Sequence, residues 1–470
     1  MKRLPSSIGL AAGVIALAWA VPARANGAFP DSESVLVPAA LPNEIALGTN
    51  FGVVLSKDGG QTWTWSCEQG GSNASLYQIG PAPLNRIYAI GLVGLTATLI
   101  YSDDMSCSWH AAAGTAQGPT IADAFPDPTN AQRVLAVAAQ SGDAGATYHL
   151  LPSSDGGTTF GASIYDAAAG DRLTGVEIAR SAPSTIYLTV LSGSGTSVVP
   201  KLARSVDGGS TWEVHDLSAA LGAGVTSVRI LAVDANDAGK VFLRVTSAAS
   251  GESVAVASGG GTSIATALSV SGGVITAFTR MPSGSLIVGG VGGTSGIEPV
   301  AFRSTDGGGT FQPLPTPPHL RALAARATTL YAVADNQNDG FAIATSPDEG
   351  ATWQPLMSYD QISAIATCVM ATCQTDCLAR AAMGQWSSDL CAATAPPPAD
   401  AGMPVSDAGS DASGSGHPDA AADAGRTPNK DKSGCNCSLG APARAGRSGG
   451  AALLLLLSLW AARRRPSARP

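Results

Sequence analysis

Two carboxyl groups held about 5 to 10 Å apart can cleave a glycosidic bond, one as acid and the other as nucleophile or base. The chain offers Asp123, Asp127, Glu177, Asp234, Asp237, Glu298, Asp335 and Asp339 as candidates outside its repeated turns. Most stand in turn-rich stretches, where a short acidic side chain ordinarily caps backbone amides, so no pair is singled out as catalytic. His110, His149, His215, His319 and His417 form no H-E-x-x-H or other ligand pair. Within 26–395 neither a G-x-S-x-G elbow nor a Walker loop is present, and no metal or cofactor is expected. Six cysteines carry the remaining covalent chemistry. They divide into Cys67 with Cys107, which neighbouring repeats could bring together, and Cys368, Cys373, Cys377 and Cys391. The last four lack the close C-x2-C knuckles of common zinc modules, so a disulfide-stapled cap is expected, with the pairing left open.

Self-comparison reveals what must position these groups. SKDGGQTW (Ser56 to Trp63), SSDGGTTF (Ser153 to Phe160), SVDGGSTW (Ser205 to Trp212), STDGGGTF (Ser304 to Phe311) and SPDEGATW (Ser346 to Trp353) are one motif. Weaker copies are SDDMSCSW (Ser102 to Trp109) and VASGGGTS (Val256 to Ser263), the second with Ser258 in the aspartate's place. The central residues Asp58, Asp104, Asp155, Asp207, Ser258, Asp306 and Asp348 are 46, 51, 52, 51, 48 and 42 residues apart. Between them recur short β-branched and aromatic runs broken by Pro, Asn, Asp and Gly, as in QIGPAPLNRIYAIGLVG (Gln78 to Gly94). Each unit therefore holds about four strands, the last beginning at the Trp or Phe. Seven such units predict an all-β protein, a propeller of seven four-stranded blades.

This S-x-D-x-G-x-T-[WF] pattern resembles the Asp box, or BNR repeat, of sialidases, photosystem assembly factors, xyloglucanases and sortilin-type receptors. The resemblance implies a structural turn: the carboxylate accepts backbone amides, Gly supplies a positive φ, and the aromatic anchors the next strand. A sialidase would also need an arginine triad announced by F-R-I-P. The nearest string is NRIY (Asn85 to Tyr88), whose Arg86 occupies a position held elsewhere by Glu44 or Thr185, and it is read as an ordinary turn residue. Beyond Met357, ISAIAT (Ile362 to Thr367) and CLARAA (Cys377 to Ala382) read as a half-unit of strands that closes the ring or caps it.

Both ends read as addresses. Lys2 and Arg3 precede an apolar run from Ile8 to Ala20, followed by Ala23-Arg24-Ala25, the form of a secretory signal peptide over 1–25. The propeller is expected over 26–361 and the closing strands or Cys-rich cap over 362–395. A Pro-, Ala-, Asp-, Gly- and Ser-rich linker over 396–433 has no aromatic residue and reads as disordered. Within 434–470 lie Cys435 and Cys437, the apolar stretch Ala451 to Ala462 and the cluster Arg463 to Arg465. That order resembles the myxobacterial sorting tail known as MYXO-CTERM. The resemblance implies a sorting protease and surface attachment at Cys435 or Cys437; a plain C-terminal membrane anchor is the alternative.

The chain has 470 residues, 45% of them hydrophobic and 13% charged, with a formal net charge of −8. Its central region, Asn26 to Ala395, holds 15 basic and 29 acidic residues, or about −14. Such a surface argues against nucleic acid as a partner. The sequence thus predicts an exported, surface-displayed propeller that binds an extracellular glycan or protein. A glycoside hydrolase with loop carboxylates at the propeller mouth is the alternative, and an assembly factor for another exported protein is a third reading.

Overall fold

In a computed structural model, residues 30–393 are described apart from 69–71, 115–118, 143–144 and 195–197. The expected signal peptide, linker and sorting tail, with Cys435 and Cys437, lie outside the described residues. Within them the chain forms seven blades of four antiparallel strands each, and the four strands of every blade come from one continuous stretch of sequence. Blade 4 is representative: Asp171–Ile178, Ile186–Ser192, Val199–Ser205 and Glu213–Asp216 run from the centre outwards. The outermost strand usually starts one residue after the aromatic anchor rather than on it, at Thr64, His110, Glu213, Gln312 and Gln354.

The apolar runs become strands because each sheet is covered on both faces by its neighbours. Second strands such as Ile45–Thr49 are buried throughout, as a doubly covered strand must be. Side chains of adjacent blades interleave, with Tyr88 and Leu99 of blade 2 meeting Ile121, Val134 and Ala136 of blade 3. Leu135 and Val137 of blade 3 meet Leu188 and Val190 of blade 4 in the same way. Between blades 1 and 2 the approach is closest at Gly48, where a Cβ would fall 2.2 Å from the Tyr77 ring. The repeated turns lie on the same rim as the turns joining first and second strands. Gly59, Gly156 and Gly208 donate to the carbonyls of Asn43, Gln132 and Ser184 at 2.8, 2.7 and 2.8 Å.

Among the described residues, no strand is exchanged between the first and last blades. The innermost strands Leu320–Arg326 and Ser32–Leu36 pack side by side. Arg321 pairs with Asp31 at 3.3 Å, Arg326 donates to Glu44 O at 2.8 Å, and the Ser32 hydroxyl meets the Tyr359 hydroxyl. A fifth strand, Ala364–Ile365, then joins blade 1 parallel to Thr64–Ser66.

The rest of the segment after Met357 departs from the expected half-unit of strands. ISAIAT contributes that two-residue strand, but CLARAA is helical, inside the helix Met370–Ala382. The sequence MATCQTDCLARAA has neither Gly nor Pro and is rich in good helix formers. Asp376 and Arg380 pair at 3.0 Å one turn apart, and Cys373 and Cys377 share its buried face. A short helix, Asp389–Ala392, completes the cap. Its disulfides are Cys67–Cys373, Cys107–Cys368 and Cys377–Cys391. Cys67 and Cys107 do not pair with each other, because both face the cap.

Candidate functional site

The repeated turn is a self-contained hydrogen-bond circuit. In six copies the Ser hydroxyl donates to Oδ1 of the aspartate at 2.7 to 2.9 Å. The same Ser oxygen accepts the amide four residues on at 2.8 to 2.9 Å. The Thr amide returns to Oδ1, and its hydroxyl to Oδ2, at Asp58, Asp155, Asp207, Asp306 and Asp348, with Ser108 in that role at Asp104. Gly59 and Gly60 take φ of 77° and 97° to allow it. The Thr211 and Ser205 donors hold the Asp207 carboxyl down at about 2. At Asp155 slight burial opposes the Thr159 and Ser153 donors, yet the group still falls to about 2. A carboxylate so fully engaged is a poor proton donor or nucleophile. At Ser258 the circuit is missing, and Thr262 donates instead to Ser258 O and Gly259 O, at 3.5 and 3.3 Å.

The channel wall is built differently. Every innermost strand carries at least one shift in register against its neighbour, and those of blades 2 and 5 carry two, so residues are left out of the pairing. Such bulges re-aim side chains, and here they direct them to the next blade. Thr174 donates to Val228 O at 2.8 Å and Thr276 to Leu320 O. Gln78 reaches Ala124 O at 2.8 Å. Asp123 accepts Val176 N at 2.9 Å and Glu177 accepts Val233 N at 3.0 Å; away from the innermost strands, Glu252 on the third strand of blade 5 accepts Ile275 N at 2.7 Å.

Of the eight candidate carboxylates, Asp123 and Glu177 stand out, because the charge of the first raises the second. Both are enclosed by protein on the innermost strands of blades 3 and 4, keeping part of their surface open. Burial drives Asp123 up to about 6 against the Val176 amide and Arg229. Burial, with the added field of Asp123, drives Glu177 up to about 8. The others are spread out. Asp127, Asp234 and Asp237 cap turns on the rim of the repeated motif, accepting Thr129 N, Asn236 N and Gly239 N at 2.7, 2.8 and 2.8 Å. Glu298 accepts the Ser295 hydroxyl at 3.2 Å. Asp335 caps the short helix Asn336–Asp339 and pairs with Arg321 at 2.8 Å, while Asp339 holds His319 Nδ1 at 2.9 Å.

Sequence reasoning missed a second group, where blade 7 meets blade 1. Arg321, itself the unpaired residue of its strand, stands between Asp31 and Asp335. Burial raises the Asp31 carboxyl, and burial with Asp31 and Glu68 raises Glu33. Only the bulge aims Arg321 inwards, and no local pattern signals it. Arg86 is not an ordinary turn residue. Its side chain is buried, binds Asp103 at two points, donates to Gly156 O at 2.6 Å and lies 3.9 Å over the Tyr101 ring. Among the described residues, no group of three or more His, Cys, Asp or Glu is placed to hold a metal ion.

No protein-family model matches the sequence, and no curated protein matches it. Among solved structures, a GH74 xyloglucanase from Xanthomonas campestris shares the propeller fold at 16% identity and a TM-score of 0.50, over 71% of this chain and 55% of that one. The BP39L lectin from Burkholderia pseudomallei is similar at 14% identity and a TM-score of 0.43, over 70% and 99%. YCF48 from Cyanidioschyzon merolae follows at 15% identity and 0.41, over 64% and 92%. This chain spans about half to two thirds of the length of the GH74 enzymes it resembles. At these identities the likeness is one of fold.

Proposed function

We propose that this propeller is a binding module for an extracellular glycan or protein, displayed at the cell surface through the segment 434–470. The observation that carries the reading is the employment of the carboxylates. Each of the eight candidates has a backbone amide, hydroxyl, arginine or histidine partner, and the six turn aspartates are locked in their own circuits. Carboxylates so fully engaged in the scaffold support recognition rather than turnover. The strongly acidic central region favours neutral glycans or basic protein surfaces over anionic partners.

One observation favours a second reading, hydrolysis of a polysaccharide such as xyloglucan. Glu177 feels the charge of Asp123 and is raised to about 8, while Asp123 rises only to about 6, which is the division of labour an acid and a base need. Incubating the purified protein with a panel of polysaccharides and sialosides, and measuring both retention and release of reducing ends, separates the two. Retention without turnover is expected. Turnover abolished by Glu177→Gln would establish the hydrolase and overturn the binding module.

A further inference from the structure

A propeller whose first and last blades share no strand needs another device to keep its ring shut. Here the device is the segment after blade 7. Tyr359 reaches Ser32, Ser363 donates to Trp63 O at 2.9 Å, and Ala366 N donates to Trp65 O at 2.8 Å. Trp386 then packs on Trp65 and Phe51 with ring centres 5.0 and 5.8 Å apart, and the Arg380 guanidinium lies over both rings. Cys373 and Cys368 bond this cap to blades 1 and 2, which are themselves joined there by Ser66 donating to Ser106 O at 2.8 Å.

The connectivity of these bonds matters more than their number. Cys67–Cys373 spans 306 residues, Cys107–Cys368 spans 261 and lies nested inside it, and Cys377–Cys391 spans 14 just beyond. Tension applied between the two ends of the chain travels from the N-terminal strands to Cys67, crosses to Cys373, crosses again from Cys377 to Cys391, and leaves. Blades 2 to 7 lie entirely within the bypassed loop. We infer that the C-terminal cap is a mechanical clasp: its nested disulfides shield blades 2 to 7 from pulling force, and the inner one stands in reserve for the outer.

The clasp is of use to a protein held by its C-terminal segment while its ligand pulls, and that use rests on the proposed surface display. The clasp itself does not, and its test is independent of any ligand or membrane. The full chain, tagged at both ends, is stretched in a single-molecule force clamp with and without a thiol reductant. Without reductant, the 306 residues between Cys67 and Cys373 stay closed. With it, a step of about 160 Å, set by the difference between the 306- and 261-residue spans, precedes one of about 900 Å at roughly 3.5 Å per residue. The order is fixed because the inner bond carries load only after the outer one breaks.

The Cys67→Ser, Cys373→Ser double variant should lose the first of these two steps and keep the second. Release of the whole propeller from the oxidised wild-type chain would overturn the clasp, as would the same extension with and without reductant. Because the decisive measurement uses the wild-type chain, misfolding of a variant leaves the test intact.

Discussion

Arg86 and Asp103 bind at two points, Nε to Oδ1 at 2.6 Å and Nη2 to Oδ2 at 2.7 Å, while the same guanidinium supports the turn of the next blade through Gly156 O. Flat, bidentate and stacked on Tyr101, this geometry belongs to arginine alone. Arg86→Ala should cost about 2–3 kcal/mol, less than a fully buried pair because Asp103 keeps access to water. Urea unfolding checks the figure. Arg86→Lys should recover less than half of it, and full recovery would mean that charge alone matters there.

The six turn circuits predict opposite effects at two equivalent positions. Asp207→Ala should lower the melting temperature by a few degrees without altering ligand retention. Ser258→Asp, which supplies the missing acceptor opposite Thr262, should raise it, through a gain in stability of about 0.5–1 kcal/mol for one exposed turn network. Scanning calorimetry of both variants decides; a destabilised Ser258→Asp protein would show that this turn has settled into a different geometry.

Glu177 gives stability a slope on the alkaline side. Its folded value of about 8 stands above the ordinary 4.5, so the fold favours the neutral acid. That contribution is whole below pH 4.5 and is lost as pH rises through 8, and Asp123, raised to about 6, acts in the same sense. The loss should amount to roughly 2–4 kcal/mol between pH 5 and pH 9. Glu177→Gln keeps the acceptor for Val233 N and should flatten the curve; parallel curves for variant and wild type would remove Glu177 from this account.

On the acid side the turn aspartates govern. Their folded values lie below the ordinary 3.8, so what they add is present above that value and disappears as pH falls through the lowered values, about 2 at Asp155 and Asp207. Combined with the alkaline slope, this places maximum stability between pH 4 and 5. Melting temperatures across pH 2 to 9 should trace that single maximum, and a plateau reaching pH 8 would contradict it.

Legibility followed the reach of the interactions. The circuit around Asp58 closes within eight residues, Ser56 to Trp63, so its chemistry is written in consecutive letters and repeats with the blades. Cys67 and Cys373 are 306 residues apart, and nothing near Cys67 distinguishes a partner on the next blade from one on a distant helix. Asp123 and Glu177 stood in the sequence among eight equals, because their meeting depends on one extra residue in each strand, which shifts the aim of every side chain after it. CLARAA was misread because six residues of Ala, Leu, Arg and Cys suit a buried strand and a helix alike, and only the full thirteen-residue run decides.

Because the four strands of each blade are one uninterrupted stretch, a chain emerging from its N-terminus can complete each blade before the next appears, and among the described residues only the edge strand Ala364–Ile365 reaches back to an early sheet. The cysteines cannot follow that timetable. Cys67 and Cys107 emerge early, on adjoining blades, and their proper partners arrive only with the last segment. Until then the two thiols have only each other. Oxidation that runs ahead of chain delivery therefore traps a wrong bond, and correct maturation calls for thiol exchange at the end of assembly.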